Sequence, residues 1–399
     1  MKKIILLLAA LLALTLGADA RGLKKCTPAA AGMDGGRLAQ VDREIDAAIA
    51  QGSIPGAVLA VVRDQRLVYL KAYGNKQVVP DTVAMSVETM FDLASVSKCV
   101  GTTLAFLQLV ENGQVRLSDE VRKYIPDFKP WKDPQTGREV HICIKELMTH
   151  SSGIAPYINV NSYVKKYGAA SPDALMRHIA TEVKRNFEPG KGYMYSCLNY
   201  ITLQNILQQV TGERLCDYAQ AHIFDVLGLQ HTCYCPAQHP ALLPLVAPTE
   251  VQKDGKLLCG EVHDPTARIV NCGNSGNAGV FSNAEDLAVI AAAIMNGGAL
   301  GKARILSPAT VKAMTTVQNA NGRALGWDIS STSSGLKGDL FNPETTICHT
   351  GYTGTSMVID METKTAVILL AHRVHPADKG SVANLRARVS NIVAGSIEK

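Results

Sequence analysis

The chain has 399 residues, 47% of them hydrophobic and 19% charged, with a formal net charge of +5. That length can bury one large core or two linked ones. The positive excess is mild and spread along the chain without a dense basic cluster, which excludes a nucleic-acid footprint.

Lys2 and Lys3 precede an apolar run at 4–16, and Ala18-Asp19-Ala20 follows as a small-x-small cleavage site. Residues 1–20 therefore read as a secretory signal, and the mature protein is expected in the periplasm or outside the cell. The run is too short to span a bilayer, and no later apolar stretch is long enough, so no membrane span is expected after signal removal. Leu23-Lys24-Lys25 before Cys26 lacks the apolar-small-small lead-in of a lipidated cysteine.

Leu38, Val41, Ile45 and Ile49 recur at helical spacing and predict a helix ending near Gly52. Residues 57–62 and 67–72 are β-rich runs about a charged turn, which predicts a hairpin. Residues 96–110 are apolar nearly all round, as in a buried central helix. Leu203, Ile206, Leu207 and Val210 make a helical stripe that stops before Gly212. Ser282 and Glu285 have the spacing of a capping box ahead of Leu287, Ile290 and Ile294, and Ser307-Pro308 opens a further helix. Residues 356–360 and 365–371 predict a second hairpin, and Val382, Leu385, Val389 and Ile392 a last helix. The expected fold is α+β: an antiparallel sheet built from both chain ends, flanked by helices, with an inserted mainly helical subdomain and a cleft between them. The sheet part is placed at about 33–90 and 315–399, and the helical part at about 91–314.

All ten cysteines follow the signal, but a chain this long needs no staples, and no pairing follows from their spacing. Cys99, inside the apolar helix, reads as a small buried hydrophobe. His231, Cys233, Cys235 and His239 are crowded, with Cys259, His263 and Cys272 further on. Cys-x-Cys is tighter than the usual zinc spacing, so no metal is assigned.

Ser-x-x-Lys occurs at Ser95/Lys98, Ser162/Lys165, Ser334/Lys337 and Ser396/Lys399. Only the first opens the apolar helix. Ser95 then sits at a helix N-terminus, where backbone N–H groups favour developing negative charge, with Lys98 one turn along the same face. A desolvated lysine has a lowered pKa and can take the serine proton. The other three are expected in polar loops or at the frayed C-terminus.

Residues 91–100 resemble the nucleophile segment of class C β-lactamases, their esterase relatives and low-molecular-weight penicillin-binding proteins. His150-Ser151-Ser152-Gly153 resembles a loop landmark of that superfamily. Glu188-Pro189-Gly190 with Tyr195-Ser196 resembles its second motif, Tyr-x-Asn, and His349-Thr350-Gly351 its third, Lys-Thr-Gly. The resemblance runs over residues 33–395. Val262-His263-Asp264 and Arg373-Val374-His375-Pro376 are similar to segments of the penicillin-binding-protein 4B and esterase-type branch, which sets His263 and His375 between a cleft role and a structural loop role. Tyr157-Ile158-Asn159 matches Tyr-x-Asn literally but is set aside for want of an amphipathic helix behind it.

The resemblance implies acyl-enzyme chemistry on a small ester or amide or a cell-wall-type peptide, without metal or organic cofactor. Ser95 would be the nucleophile, and Lys98 and Tyr195 would move its proton. Backbone N–H groups of Ser95 and Tyr352 would form the oxyanion hole, and His349, Thr350, Gly351 and Cys197 would contact substrate. Cys197 and His349 depart from the family's asparagine and lysine, which weakens the case for an efficient β-lactamase. Two alternatives stand beside the hydrolase: a penicillin-binding D-Ala-D-Ala carboxypeptidase, and a catalytically weak binding or sensor protein. Protonation of His349 below about pH 6.5 is expected to favour anionic substrates. Asn199 is the rival supplier of the amide that Cys197 lacks.

Overall fold

The computed structural model describes residues 22–399, so the expected signal segment lies outside the described residues. The first two β-rich runs form strands Gly56–Arg63 and Arg66–Gln77. Asp64 and Gln65 between them both take positive φ, as a tight hairpin turn requires. Strands Thr346–Thr350, Ser356–Asp360 and Thr365–Ala371 form an antiparallel meander near the C-terminus. Thr365–Ala371 pairs antiparallel with Gly56–Arg63, Thr365 opposite Arg63 and Ala371 opposite Ala57, so the two ends of the chain share one sheet. The short strand Lys24–Lys25 joins the outer edge in parallel with Arg66 and Leu67, the one departure from the expected antiparallel pattern in this sheet.

Every residue of Gly56–Arg63 is buried, which a strand with a solvent face would not be. Val58, Ala60 and Val62 enter one core, and Ala57, Leu59 and Val61 the other. Thr365–Ala371 repeats the division, Ala366, Ile368 and Leu370 against Val367, Leu369 and Ala371. Alternation at period two thus splits a continuous apolar run between two layers. Helices Val41–Ala50 and Ala383–Gly395 cover one face through Val41, Ile45, Leu385, Val389 and Val393. Helix Ala284–Met295 covers the other, in a core that extends through Leu104–Glu111 and Cys197–Thr211.

Local chemistry corrects several expectations. Leu38 ends a separate turn, Gly35–Leu38, capped by Asp34, and the first long helix begins only at Val41. The central helix opens with a tight turn at Ala94–Val96 and widens to π-helical turns over Lys98–Thr103 before Leu104–Glu111 becomes α-helical. Ala284–Met295 is capped by Asn283, whose Oδ1 accepts from Asp286 N at 2.9 Å. Ser282 instead ends a strand and bonds the Thr232 hydroxyl, so Ser282 and Glu285 form no capping box. Ser307 and Pro308 do start their helix as expected, Ser307 Oγ accepting from Thr310 N.

Cys99 is fully buried with Sγ 3.3 Å from Gly326 O, and all ten cysteines are free thiols. Among the described residues no three His, Cys, Asp or Glu side chains are grouped to hold a metal ion, and no helix is long and apolar enough to cross a membrane.

Candidate active site

The turn that presents Ser95 is built by a buried carboxylate. Asp92 Oδ1 accepts from Ala94 N at 2.8 Å, and Oδ2 accepts from His263 N at 2.6 Å. Ala94 is thereby held at a φ of 46°, a strained position for a residue with a Cβ. The loop after strand Thr346–Thr350 is stitched to the same turn: the Thr353 hydroxyl donates to Asp92 O and the Thr355 hydroxyl to Leu93 O. A Cβ on Gly351 would run into Leu93 O and the Thr355 hydroxyl, so the glycine of the third motif is required by the close approach of the two segments. This approach brings Tyr352 beside Ser95.

Lys98 is fully buried, and its Nζ lies 3.0 Å from Ser95 Oγ, 2.8 Å from Asn277 O and 3.6 Å from Cys197 Sγ. The ammonium also stands 5.0 Å from the Tyr195 ring centroid. Burial pulls its pKa down, but Cys197 and Tyr195 beside it outweigh burial and carry it upward. The shift runs upward, opposite to the expected lowering, through the negative charge that Cys197 and Tyr195 carry when ionised.

Tyr195 rests on His150, ring centroids 4.2 Å apart, and its hydroxyl faces Ser95 and Lys98 without a hydrogen-bond partner among the described residues. Burial raises this phenol against the opposing pull of Lys98. The His-Ser-Ser-Gly landmark thus acquires a physical task. His150, at a φ of 57°, supports the Tyr195 ring while its Nδ1 accepts from Ser196 N at 3.1 Å. Asn199 is buried with its amide on Ser152 and His150, so it does not replace the missing motif amide. Cys197 lies against Lys98 and is not among the residues that line the main cavity.

That cavity, about 420 Å³, is lined by Ser95, Tyr195, His349, Thr350 and Gly351, together with three arginines to which the sequence assigned no role. Arg323 is buried and paired with Asp328 at 3.1 Å; Arg386 donates to Gly351 O and Thr355 O; Arg373 pairs with Asp378 at 2.7 Å. Arg386 had a signal: it falls four residues after Val382, on the apolar stripe of the last helix. Arg323 lies in no motif.

His349 is 5% exposed. Burial first, then Arg323 and Lys98, hold its pKa well below the usual histidine range. That direction keeps the ring neutral, against the expectation of a protonatable anion contact. A second cavity of about 270 Å³ on the other side of Ser95 is lined by His263, Asp264, Tyr352 and Asp378. His263 stacks on Tyr352, centroids 5.8 Å apart, so it does reach the cleft. His375 does not. It bridges two loops, its Nδ1 donating to Thr249 O and its Nε2 accepting from Val78 N.

The rival motifs lie elsewhere. Tyr157 is 74% exposed and lines a different cavity. Contrary to expectation, helix Val160–Tyr167 begins directly behind it, capped by Asn159. Ser162 and Lys165 fall in that helix rather than in a polar loop.

A sheet closed by both chain ends, with a serine and a buried lysine at the mouth of its cleft, defines the β-lactamase and transpeptidase architecture. The chain belongs to the beta-lactamase family, a family of serine hydrolases: the family's sequence model matches residues 41–391. The N-acetylmuramyl-L-alanine amidase of Bacillus subtilis (strain 168) is 30% identical over 363 residues, covering 85% of this chain and 81% of the amidase. A protein of Salmonella agona (strain SL483), provisionally named a D-alanyl-D-alanine carboxypeptidase, is 30% identical over 397 residues, covering 94% of this chain and 90% of its own. Among solved structures, EstCE1, a hydrolase with promiscuous acyltransferase activity, superposes with a TM-score of 0.70 at 23% identity over 90% of this chain and 99% of its own. FmtA of Staphylococcus aureus gives 0.65 at 22% identity over 90% of this chain and 88% of its own. At such identities the structural likeness shows the fold.

Proposed function

We propose that the protein is an exported serine hydrolase that cleaves an amide or ester through an acyl-enzyme on Ser95. The observation that carries this reading is the 3.0 Å contact between Ser95 Oγ and the buried Lys98 Nζ at the cavity wall. Ser95 Oγ attacks the carbonyl carbon, and its proton passes to the Lys98–Tyr195 pair once that pair has lost one proton. The N–H groups of Ser95 and Tyr352 take the developing oxyanion. Tyr195 returns the proton to the leaving atom, and water then releases the acyl group by the same route in reverse. This chemistry uses no metal or organic cofactor.

The arginine-lined cavity favours a substrate whose leaving half carries a carboxylate, as a peptide ending in D-alanyl-D-alanine does. The Salmonella relative's name supports the same substrate class. The test is mass spectrometry of the protein after incubation with a fluorophosphonate, a short ester, a cephalosporin and a D-alanyl-D-alanine peptide. Labelling of a peptide containing Ser95, abolished with turnover in Ser95→Ala, is the expected result. Label at Ser162 or Ser334 sinks the assignment, a lasting cephalosporin adduct without turnover supports a penicillin-binding role, and no reaction at all supports a sensor.

A further inference from the structure

We propose that His349 is a specificity-determining residue that reads the scissile bond itself: its Nε2 accepts a hydrogen bond from the N–H of the leaving group and so favours an amide over the isosteric ester. The inference rests on Ser95 as the nucleophile and adds what the cleft distinguishes.

His349 is the penultimate residue of strand Thr346–Thr350, 5% exposed, and lines the cavity together with Ser95 and Tyr195. Its Nδ1 lies 2.9 Å from Thr350 O. A carbonyl oxygen only accepts, so Nδ1 carries the hydrogen of the neutral ring and Nε2 is left as a bare lone pair. Burial, Arg323 and Lys98 keep the ring in that neutral form. Nε2 is buried, and no described residue donates to it. A buried acceptor beside a reaction site is unfavourable until a ligand supplies a donor.

Charge narrows what that donor is. Of the three arginines lining the cavity, Arg323 and Arg373 are paired with Asp328 and Asp378, and Arg386 has no carboxylate partner among the described residues, so recognition of a carboxylate does not need His349. Lysine at this position would offer N–H groups, and this histidine offers the opposite. An ester's leaving oxygen would set lone pair against lone pair. An amide's leaving nitrogen brings the hydrogen that Nε2 lacks. In the step itself the C–N bond of the tetrahedral adduct breaks and the acyl group stays on Ser95 Oγ. The nitrogen lone pair takes the proton that Ser95 gave to the Lys98–Tyr195 pair, while the nitrogen's own hydrogen stays directed at His349. Amide and Ser95 hydroxyl become acyl-Ser95 and a neutral amine, with no further reactant.

The test uses a matched pair, an acyl-D-alanyl-D-alanine peptide and the acyl-D-alanyl-D-lactate depsipeptide, which differ only by N–H for oxygen at the scissile bond. The wild type, His349→Leu, His349→Lys and His349→Gln are compared, with fluorophosphonate labelling of Ser95 reporting an intact site in each. In His349→Leu and His349→Lys the amide-to-ester ratio of kcat/KM is expected to fall about tenfold, because kcat on the peptide drops further than kcat on the depsipeptide. His349→Gln, whose side-chain carbonyl accepts, restores most of the ratio. Equal losses on both substrates, a Gln variant no better than Leu, or a labelled wild type that cleaves only the depsipeptide or neither substrate overturns the inference. Absence of Ser95 label in the wild type brings down the nucleophile reading, and this one with it.

Discussion

Lys98 and Tyr195 control the proton that Ser95 must lose, and both are held in their protonated forms. Burial raises the Tyr195 phenol, and Lys98 is raised against its own burial by the negative charge that Cys197 and Tyr195 carry once ionised. Attack requires the pair with one proton fewer, so the active form is scarce at neutral pH and grows as pH rises. For an uncharged ester, kcat/KM should climb about tenfold per pH unit from about pH 6 to about pH 8. No inflection should appear near pH 6.5, because burial holds both His150 and His349 neutral well above their own pKa values. Rates across pH 5.5–9.5 test this, and a step near 6.5 that vanishes in His349→Gln would refute it. Cys197 offers the second residue-scale prediction. Its thiol is a weak acceptor 3.6 Å from Lys98 Nζ, where an asparagine carbonyl would make a full hydrogen bond. One such bond corresponds to about a two- to twelvefold gain. Cys197→Asn is expected to raise acylation by a chromogenic cephalosporin by that factor and ester turnover by less. Equal gains in the two would mean that Cys197 does not set specificity.

At the scale of elements, the turn at residues 92–95 depends on Asp92 more than on the helix behind it. The carboxylate holds two backbone donors from segments far apart in sequence, Ala94 and His263. Asp92→Ala leaves both buried, at about 1–3 kcal/mol for each unsatisfied group. Urea unfolding should show that loss, and fluorophosphonate labelling of Ser95 should slow as Ala94 relaxes from its positive φ. Unchanged labelling in a destabilised Asp92→Ala protein would make the carboxylate a fold element only. Nothing in residues 91–100 announces this role. The hairpins at 57–72 and 356–371 are legible because strand alternation and turn residues are local signals, and Gly212 marks a helix end by its own chemistry. The Ser95, Lys98, Tyr195 and His349 constellation is legible through motifs. Asp92 with His263 and Arg323 with Asp328 are not, since each is a pairing that exists only after folding. The cap at Asn283 was misplaced by one residue because Ser282, an equally good cap by type, is already committed to a strand.

In the whole molecule, the sheet joins the two chain ends, and the cleft inherits its rigidity from that closure. Met33 bridges Ile397, Asp34 N donates to Ser396 O, and Glu398 N donates to Gly32 O. Arg63 reaches from strand Gly56–Arg63 to Ala31 O and Thr363 O, tying both ends to the sheet edge. Helix Ala383–Gly395 covers the second core through Leu385, Val389 and Val393 and also delivers Arg386 to the cavity. Deletion of residues 383–399 would uncover Leu369, Val358 and Leu59 together. Each fully exposed side chain of that size forfeits about 1.5–3 kcal/mol, so a few of them match the whole stability of an ordinary domain. The truncated chain is therefore expected to lose cooperative urea unfolding and Ser95 labelling at once. Arg386→Gln separates the helix's two contributions: it leaves the apolar contacts in place and unpairs Gly351 O and Thr355 O, at about 1–3 kcal/mol for each unsatisfied group, so unfolding should stay cooperative at a lower urea concentration. The substitution should also raise KM for a carboxylate-bearing peptide while leaving an uncharged ester untouched. A truncated protein that still labels at Ser95 would show that the sheet holds without its last helix. A KM rise for the ester as large as for the peptide would show that Arg386 shapes the cavity rather than binding its anion.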